Sequence, residues 1–358
     1  MILKQLNAIN FRSYKDLSIN LPEGLVYFCG ENAAGKSTIL EAIQFTLSGK
    51  SFRANNNNDL IQKEQNFLRT TCVFENNKQI SATKEKDSSS IHKNIDNKRF
   101  QNKQLALEYP VCLVESDNFF FTKANPEKKR HFLNKNMFYV EQNYSQIMQS
   151  FKKIHTNRNL ALKNNNTDEI NVWTKQLIEI EQIISRKNEE IVSLINKKLS
   201  NSNVLSDFYS KNKWLRTVKV QYDRGYSFNM NFSDVLHANV NKDLIMKRTI
   251  DGPHKRSFKI DTEELNLEAG LSRGQQKLLS IIFYLIQREI IFEHINIAPL
   301  LLIDDISSEL DKENLDLMLK YLNKNTMQSL VTLIDPNSVL SKKSLFYVEQ
   351  NGGNSYVR

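Results

Sequence analysis

The sequence predicts an α/β fold in which one phosphate-binding sheet is built from the N- and C-terminal parts of the chain, with a mainly helical lobe inserted between them. An apolar run that ends at Cys29 is followed at once by a glycine-bounded loop and a helical pattern. A second apolar run, residues 297–303, ends in two aspartates. Between these halves, over residues 127–200, the spacing of apolar residues becomes helical.

We predict three segments from these patterns. Residues 1–122 form the N-terminal part of the sheet domain, residues 123–240 the lobe, and residues 241–358 the C-terminal part. In the first segment, residues 2–11 and 17–29 are typical of strands. In the last, helices are expected over 275–292 and 312–323.

Six apolar residues of the lobe recur at steps of three and four or their sum, which predicts an amphipathic helix of about four heptads. They are Trp173, Leu177, Ile180, Ile184, Ile191 and Leu194. The stretches WLRTVKVQY, YSFNMNF and RSFKI, within residues 214–260, return to β-like patterns.

Composition excludes several classes of protein. No apolar run is long enough to span a membrane, and the N-terminus lacks the pattern of a secretory signal. The three cysteines, Cys29, Cys72 and Cys112, are odd in number and widely separated, which indicates neither a disulfide framework nor a zinc site. We expect a cytoplasmic protein with no membrane partner and no metal except an ion that arrives with a substrate.

The net charge of +9 is modest for 358 residues but unevenly distributed. Residues 121–160 contain eight basic and two acidic residues, a local net charge of +6, with Phe and Tyr interleaved. This pattern favours a polyanionic partner, because Lys and Arg gain free energy by displacing counterions from phosphates. A solvated helical face in a Lys-rich chain is the alternative interpretation.

The stretch GENAAGKS, Gly30–Ser37, satisfies the pattern G-x-x-x-x-G-K-[ST] between a strand and a helix. Backbone N–H groups and the helix N-terminus would surround phosphate oxygens. Lys36 would reach the β- and γ-phosphates, and Ser37 would bind Mg²⁺. The alternative is a fortuitous strand–helix turn. The predicted ATP-binding residues are Gly30, Glu31, Asn32, Ala33, Ala34, Gly35, Lys36, Ser37 and Thr38.

Asp304 and Asp305 follow the second apolar run, at the edge where open α/β sheets bind ligands. Asp304 would hold the Mg²⁺, and Asp305 would orient or deprotonate the attacking water. Together with Lys36, they are the candidate catalytic residues. Aspartates after a strand are also common helix N-caps, so their assignment depends on the phosphate loop in the same chain.

A polar turn, Ser272-Arg273-Gly274-Gln275, introduces an apolar helix. Ser272 and Gln275 have the spacing of a capping box, which is a sufficient local explanation of both. Capping does not explain Gly274, because glycine costs about 1 kcal/mol relative to alanine inside a helix. It indicates that something approaches the backbone closely there. Since a helix N-terminus is an anion site, we expect the turn to hold the γ-phosphate bound to a second subunit.

These three stretches, in this order, resemble the ABC-type ATPases, whose signature L-S-x-G-Q corresponds to Leu271–Gln275. The SSELD at 307–311 is similar to the D-loop of that class. Ser272 follows Lys36 by 236 residues, a longer interval than in a transporter subunit and far shorter than in a chromosome-organising SMC protein with its long coiled coil. An insert of this size resembles the RecF family of bacterial recombination mediators.

Further stretches along nearly the whole chain agree with that family. They are NFRSY (10–14), SFR (51–53), RHFLN (130–134), NRNLALK (157–163), GPHK (252–255) and LSRGQQKLL (271–279). The chain departs from the family at Ala33, where glycine is usual and where alanine fits if its φ is negative. It also departs at Asn134, in place of aspartate, and at 124–126, in place of a glycine-rich turn. Thr332 and Asp335 are both candidates for the switch residue.

The resemblance implies an ATP-dependent DNA clamp that acts in DNA replication, repair and recombination at gapped DNA and single-strand/double-strand junctions. With RecR and RecO as partners, it would help to load RecA. Two subunits would form a two-fold homodimer around two ATP–Mg²⁺, each held by Gly30–Ser37 of one subunit and Ser272–Gln275 of the other. The alternatives are an ABC transporter ATPase subunit, another SMC-like DNA-repair ATPase, and a scaffold whose nucleotide site has decayed.

The resemblance also implies the roles of individual residues. A weak, DNA-stimulated ATPase is expected, because Asp305 stands where many ABC-type ATPases have glutamate. We interpret His254 of GPHK as structural. The other assigned residues are Ser308, Glu309 and Asp311 in the D-loop, Arg12 and Arg53 near the nucleotide, and Lys128, Lys129 and Arg130 as contacts to DNA phosphates.

Overall fold

A computed structural model of the chain describes residues 1–100, 102–116, 126–201, 205–262 and 270–358. The chain divides into two compact units. Met1–Asn118 and Ser272–Arg358 together form the first, which we call the sheet unit. Phe119–Leu271 forms the second, which we call the insert.

The insert ends later than the sequence predicts. The boundary was expected at residue 240, but the insert extends to Leu271. The strand Ser257–Asp261 explains the difference, because it pairs antiparallel with Lys219–Asp223 of the insert. The prediction that residues 241–271 belong to the C-terminal part of the sheet domain was therefore wrong. The predicted boundary at residue 122 lies outside the described residues.

The first sheet of the sheet unit is antiparallel, with strand order β2-β1-β4-β5-β6-β7. Its strands are β1 (Leu3–Phe11), β2 (Tyr14–Asn20), β4 (Phe67–Phe74), β5 (Gln79–Glu85), β6 (Ile91–Ile95) and β7 (Lys98–Arg99). The single strand predicted over 17–29 is in fact the end of β2 and a separate strand, β3 (Leu25–Cys29). Gly24 lies between them with φ 76°, a conformation that interrupts an extended strand.

The second sheet contains strands from both ends of the chain, which confirms the predicted construction. Its order is β14-β13-β3-β12-β11-β8. Besides β3, its strands are β8 (Val111–Val114), β11 (Leu300–Ile303), β12 (Ser329–Leu333), β13 (Leu345–Asn351) and β14 (Asn354–Val357). Every pair of adjacent strands in this sheet is parallel except the pair β13–β14, which is antiparallel. Its central strands are buried along their whole length, as a parallel sheet covered on both faces requires.

Four helices of the sheet unit are α1 (Lys36–Ser48), α2 (Asn102–Glu108), α8 (Arg273–Ile295) and α9 (Lys312–Lys324). The last two match the predicted helices over 275–292 and 312–323 and extend them by one to three residues at an end. Both α1 and α8 are mostly buried, because their apolar side chains pack in the core of the unit.

The insert is mainly helical, as predicted. Its helices are α3 (Pro126–Val140), α4 (Tyr144–Lys163), α5 (Thr167–Asn201), α6 (Ser206–Lys211) and α7 (Phe232–Met246), and β9 (Lys219–Asp223) pairs with β10 (Ser257–Asp261). The predicted amphipathic helix is α5. The β-like stretch YSFNMNF forms no strand, since its Phe232 begins α7. Within the described residues, no helix is both long and apolar enough to cross a membrane.

Candidate nucleotide-binding site

Strand order brings the two predicted chemical motifs to one edge of the parallel sheet. The phosphate loop follows β3, and Asp304 and Asp305 follow β11. Between these strands lies β12, which pairs parallel with both. Because the three strands run in the same direction, their carboxyl ends meet at the same edge, where open α/β sheets bind ligands.

A cavity of about 230 Å³ lies at this edge. Its lining combines the phosphate loop with residues from the ends of β11 and β12. The lining residues are Ser13, Asn32, Ala33, Gly35, Lys36, Ser37, Thr38, Arg53, Asp305, Thr332 and Ile334. Segments more than 250 residues apart in the chain therefore contribute to one pocket.

Two glycines of the loop are required by close neighbours. A Cβ on Gly30 would overlap the carbonyl oxygen of Val348. Gly35 has φ 112°, and a Cβ there would lie 2.6 Å from the Ser355 hydroxyl oxygen. Strands β13 and β14 thus pack so tightly against the loop that no side chain fits at either position.

Ala33 adopts φ 65°, in the left-handed region. The condition under which alanine would fit this loop without strain, a negative φ, is therefore not met. The left-handed conformation costs an L-residue roughly 1–2 kcal/mol, because Cβ crowds the carbonyl oxygen that follows. The glycine that is usual in the family at this position would avoid this cost.

Lys36 is buried and folds back over the loop. Its ammonium group donates hydrogen bonds of 2.7 Å to the carbonyl oxygens of Gly30 and Glu31. Burial lowers the pKa of Lys36, and the charges of Asp305 and Asp304 oppose that shift. The N-cap of α1 is Gly35, which supplies no side-chain cap. The start of α1 therefore combines main-chain N–H donors with a cation, an arrangement suited to phosphate.

The two aspartates are tied to β12 by the hydroxyl of Thr332. That hydroxyl donates to Asp304 Oδ1 at 2.9 Å and accepts from the Asp305 N–H at 2.7 Å. Asp304 is buried, whereas Asp305 lines the cavity. Of the two candidate switch residues, Thr332 therefore contacts both aspartates, whereas Asp335 caps the short turn that follows β12.

The donor set fits Mg²⁺, although within the described residues no group of three or more His, Cys, Asp or Glu side chains could hold a metal ion. The Ser37 hydroxyl and the Asp304 carboxylate are oxygen ligands, which Mg²⁺ prefers, and this ion commonly takes only one or two protein ligands together with substrate phosphates. Such a donor set would suit an ion that arrives with a nucleotide.

Arg12 and Arg53 are connected through Glu41, which the sequence did not single out. Both Glu41 oxygens accept from the Arg12 guanidinium, at 2.5 and 2.8 Å. The Ser51 hydroxyl also donates to Glu41 and accepts from the Arg53 N–H at 2.9 Å. Arg53 lines the cavity, whereas Arg12 lies with Ser13 in the turn between β1 and β2. A carboxylate among the apolar residues of the helix that follows the phosphate loop is the signal that could have identified this Arg12–Glu41–Ser51 network.

The polar turn at Ser272 forms the predicted capping box. The Gln275 N–H donates to the Ser272 hydroxyl at 3.3 Å, and the Ser272 N–H donates to Gln275 Oε1 at 2.9 Å. Gly274 is closely approached, as expected, but by the carbonyl oxygen of Glu309 in the same chain. This intramolecular contact is sufficient to explain the glycine.

The three D-loop residues have different environments. Glu309 pairs with Arg273 at 3.1 Å and has φ 66°. The Ser308 hydroxyl donates to the Asp305 carbonyl at 3.1 Å. Asp311 is the N-cap of α9, because its carboxylate accepts from the Asn314 N–H at 2.8 Å. The Asp311 carboxylate is thus engaged in capping. Ser308 connects the D-loop to Asp305, and Glu309 connects it to the polar turn at Arg273.

The candidate DNA contacts lie on α3 of the insert, and one of them is buried. Lys129 is 7% exposed, donates to the Phe258 carbonyl at 3.1 Å and lies over the Phe258 ring. The prediction that Lys129 contacts DNA is therefore wrong, because its ammonium group is within the core of the insert. Lys128 is exposed and Arg130 is half-buried.

Arg158, which contributes to the charge of the basic segment, is also buried. It donates to Asp243 at 2.8 Å and to Thr249 at 2.6 Å. The His254 ring packs against that of His155 at a tilt of 32°, with ring centroids 4.6 Å apart, and burial lowers the pKa of His254 to about 4. A neutral, packed imidazole agrees with its structural interpretation.

Lys277 was also missed by the sequence patterns. It is fully buried on α8 and donates to the Ser116 carbonyl at 3.0 Å and to the Asp304 carbonyl at 3.5 Å. It therefore connects α8, which Ser272 caps, with Asp304, the residue that follows β11. A lysine within an otherwise apolar helical run is the signal that could have indicated it.

Comparisons with known proteins agree with this geometry. A family model described as the RecF/RecN/SMC N-terminal domain matches residues 2–355. The DNA replication and repair protein RecF of Shewanella loihica is 27% identical over 98% of this chain and 98% of its own length.

Two solved structures are also similar. A RecF–ATP structure, described as that of the recombination mediator protein in the RecFOR pathway, matches with a TM-score of 0.79 at 22% identity and covers 100% of this chain and 99% of its own. An Smc head bound to the C-winged helix domain of ScpA matches with a TM-score of 0.58 at 16% identity and covers 100% and 97%. These likenesses confirm the predicted fold, an ABC-type head with an inserted lobe.

Proposed function

Because the chain belongs to the RecF/RecN/SMC N-terminal domain family, we propose that it is an ATP-binding recombination mediator of the RecF type that acts in DNA replication and repair. The observation that carries this proposal is the meeting of the phosphate loop with Asp304 and Asp305 at one edge of the parallel sheet. Phosphoryl transfer needs N–H groups that donate hydrogen bonds to phosphate, a cation and carboxylates at one site. The candidate site has all three.

In the proposed reaction, the triphosphate lies along Gly30–Ser37. Lys36 exchanges its two bonds to loop carbonyls for bonds to β- and γ-phosphate oxygens, and its charge is then stabilised by an anion. Ser37 and Asp304 would hold Mg²⁺, which would neutralise charge on the phosphates. Asp305 orients the attacking water, and its side chain, one methylene shorter than glutamate, gives slow turnover.

We further propose that ATP closes a two-fold dimer in which Ser272–Gln275 faces the partner's γ-phosphate. The Ser272 hydroxyl accepts from Gln275, and a hydroxyl that accepts one bond still has a proton to donate to an anion. Such an interface is isologous, so each subunit completes the other's site. ATP favours the closed state because it contacts both subunits only there.

DNA is the proposed polyanion, with RecR and RecO as protein partners. Lys128 and Arg130 remain candidates for phosphate contacts, and α4 adds the exposed Lys152 and Lys153 on a helix that contains no acidic residue. Contacts of this kind position the duplex without reading bases. DNA stimulation of the ATPase and action in the cytoplasm belong to the same proposal.

Sedimentation velocity with and without ATP–Mg²⁺ tests the nucleotide and dimer parts. The wild type should convert from monomer to dimer on ATP addition, and Ser272→Arg should bind ATP but stay monomeric. Lys36→Ala should lose ATP binding, and Asp305→Asn should bind and dimerise without hydrolysis. ATP binding by Lys36→Ala at wild-type affinity would contradict the site, and unchanged dimerisation of Ser272→Arg would contradict the dimer.

Binding to gapped DNA tests the third part. Removing two charges with Lys128→Ala and Arg130→Ala should weaken binding and reduce the salt dependence by about one unit of slope per lost phosphate contact. The matched control removes two exposed charges from α9 of the sheet unit, Lys312→Ala and Lys320→Ala. Equal losses in both variants would show a net-charge effect and would contradict the assignment of α3.

A further inference from the structure

We propose that Thr332 is a positioning residue of the nucleotide site, which orients the Asp304 carboxylate for the metal ion and holds the main chain of Asp305. This inference rests on the proposed ATP site and assigns a role that the two aspartates cannot fulfil by themselves. It follows from the place of Thr332 in the sheet, from its hydrogen bonds and from the backbone conformation of Asp305.

Thr332 lies near the end of β12, the strand between β3 and β11. Its neighbours in the sheet therefore lead to the phosphate loop on one side and to the aspartates on the other. The residue is fully buried with respect to solvent, yet it lines the cavity. A polar side chain at this point must find its partners within the site.

One hydroxyl group serves two consecutive residues. Thr332 Oγ1 donates to Asp304 Oδ1 at 2.9 Å, and it accepts from the Asp305 N–H at 2.7 Å. Since a hydroxyl has one proton and two lone pairs, both bonds form at once. With Oδ1 of Asp304 engaged, Oδ2 is the oxygen that can take the metal ion or a metal-bound water.

The same residue stabilises an unfavourable backbone conformation at Asp305, which has φ 50°. The Asp305 N–H is bonded to the Thr332 hydroxyl, and the next N–H, of Ile306, donates to the Thr332 carbonyl at 3.0 Å. A left-handed residue between two such bonds is held in one orientation. Because the main chain sets the direction of the Cα–Cβ bond, Thr332 also sets the direction in which the Asp305 side chain leaves the main chain.

Substitutions at position 332 separate the hydroxyl from the shape of the side chain. Valine has nearly the same shape but can neither donate nor accept, so Thr332→Val leaves the Asp305 N–H and Asp304 Oδ1 unpaired. Serine retains the hydroxyl and loses only the methyl group that restricts χ1. Thr46→Val is a matched control, because Thr46 is a buried threonine whose hydroxyl is bonded to Ala42 and Thr70, both at 2.7 Å.

The test measures release of a fluorescent ATP analogue in Mg²⁺ and in EDTA, with the unfolding midpoint of each variant. For Thr332→Val, we expect the wild-type rate of release in EDTA. The Mg²⁺ concentration needed to slow release should rise 10- to 100-fold, because substitution of a residue that orients a metal ligand usually lowers metal affinity by that factor. Thr332→Ser should restore wild-type Mg²⁺ dependence. Thr46→Val should lower the unfolding midpoint without changing the Mg²⁺ dependence.

Unchanged Mg²⁺ dependence in Thr332→Val, or serine as impaired as valine, overturns the proposal. If valine prevents folding, Thr332→Ala takes its place in the same titration with the same criteria. Failure of the ATP site itself has a different signature. In that case the wild type shows no Mg²⁺ dependence, and Lys36→Ala binds the analogue as the wild type does.

Discussion

The carbonyl oxygen of Glu309 lies 2.5 Å from the position that a Cβ on Gly274 would occupy. This contact joins the start of α8 to the loop that follows Asp305. The neighbouring pair of Arg273 and Glu309, at 3.1 Å, spans the same two segments. The loop after Asp305 is therefore in direct contact with the turn that is proposed to face the partner's nucleotide.

Gly274→Ala should weaken ATP-dependent dimerisation by at least about tenfold, an effect of roughly 1.4 kcal/mol. The clash is with a backbone oxygen, so the D-loop must move even though alanine is the better helix former. ATP binding to the phosphate loop should be unchanged. Sedimentation with ATP–Mg²⁺ measures the first quantity, and titration with nucleotide measures the second. A variant that dimerises like the wild type would show that the contact is not used.

Ala33→Gly should raise the free energy of unfolding by about 0.5–1 kcal/mol, the balance between relief of a left-handed alanine and the extra freedom of glycine in the unfolded chain. ATP should bind at least as tightly. The neighbour provides the control, since Ala34 is buried and has no positive φ. Ala34→Gly should destabilise the protein by about 1 kcal/mol. Denaturation curves that shift in the same direction for both variants would contradict this explanation.

Glu41→Gln should destabilise the sheet unit by about 2–4 kcal/mol, because it leaves the Arg12 guanidinium beside a neutral amide in a largely buried site. The Glu41 side chain is 0% exposed and that of Arg12 is 24% exposed. ATP affinity should also fall, since Ser51 and hence Arg53 lose their anchor. Glu23→Gln is the matched control, because its pair with Lys4 is exposed, and it should cost under about 1 kcal/mol. Equal losses of unfolding free energy in urea for the two variants would contradict a stabilising role of the Arg12–Glu41 ion pair.

Lys93→Met should stabilise the protein most at pH 7, with an advantage that declines as pH rises from 8 to 10.5. Burial lowers the pKa of Lys93 from 10.5 to about 8. Between these values the unfolded chain holds a proton that the folded protein has lost, so wild-type stability rises with pH. The effect is on the order of 2 kcal/mol. It should appear as a pH-dependent difference between the unfolding free energies of wild type and variant. A difference that is constant from pH 7 to 10.5 would contradict the assignment.

The methionine also removes the hydrogen bond from Lys93 to the Leu47 carbonyl at the end of α1. That bond is lost at every pH from 7 to 10.5. Its loss therefore shifts the whole curve of unfolding free energy against pH and leaves the slope of that curve unchanged. The sign of the slope is therefore the decisive measurement.

Much of the nucleotide site could be predicted because its parts are continuous in the chain. The phosphate loop, its flanking strand and helix, the aspartates after an apolar strand and the capping box at Ser272 all depend on residues within a few positions of each other. Apolar spacing likewise identified α5, α8 and α9. Local propensities and periodicity depend on residues within one helix or strand, so they predict single helices and strands.

The end of the insert and the exposure of individual cations could not be predicted from the sequence. The insert extends to Leu271 because β10 pairs with β9, a contact between strands more than thirty residues apart. Lys129 reads as one cation of a basic run, yet its position on α3 turns it toward Phe258. Charge composition gives the number of cations in a segment, and packing decides which of them reach solvent.

By itself, the sequence determined the fold class, the family and the candidate phosphate-binding residues, because glycines, a lysine and carboxylates at fixed spacing have few other uses. Tertiary structure alone decided that Ala33 has a positive φ, that Glu309 is the neighbour of Gly274, and that Thr332 supports Asp304 and Asp305. Each of these depends on atoms from distant segments that meet only when the parallel sheet forms. The free energy of such a contact depends on ångström-scale distances, and linear order carries no record of them.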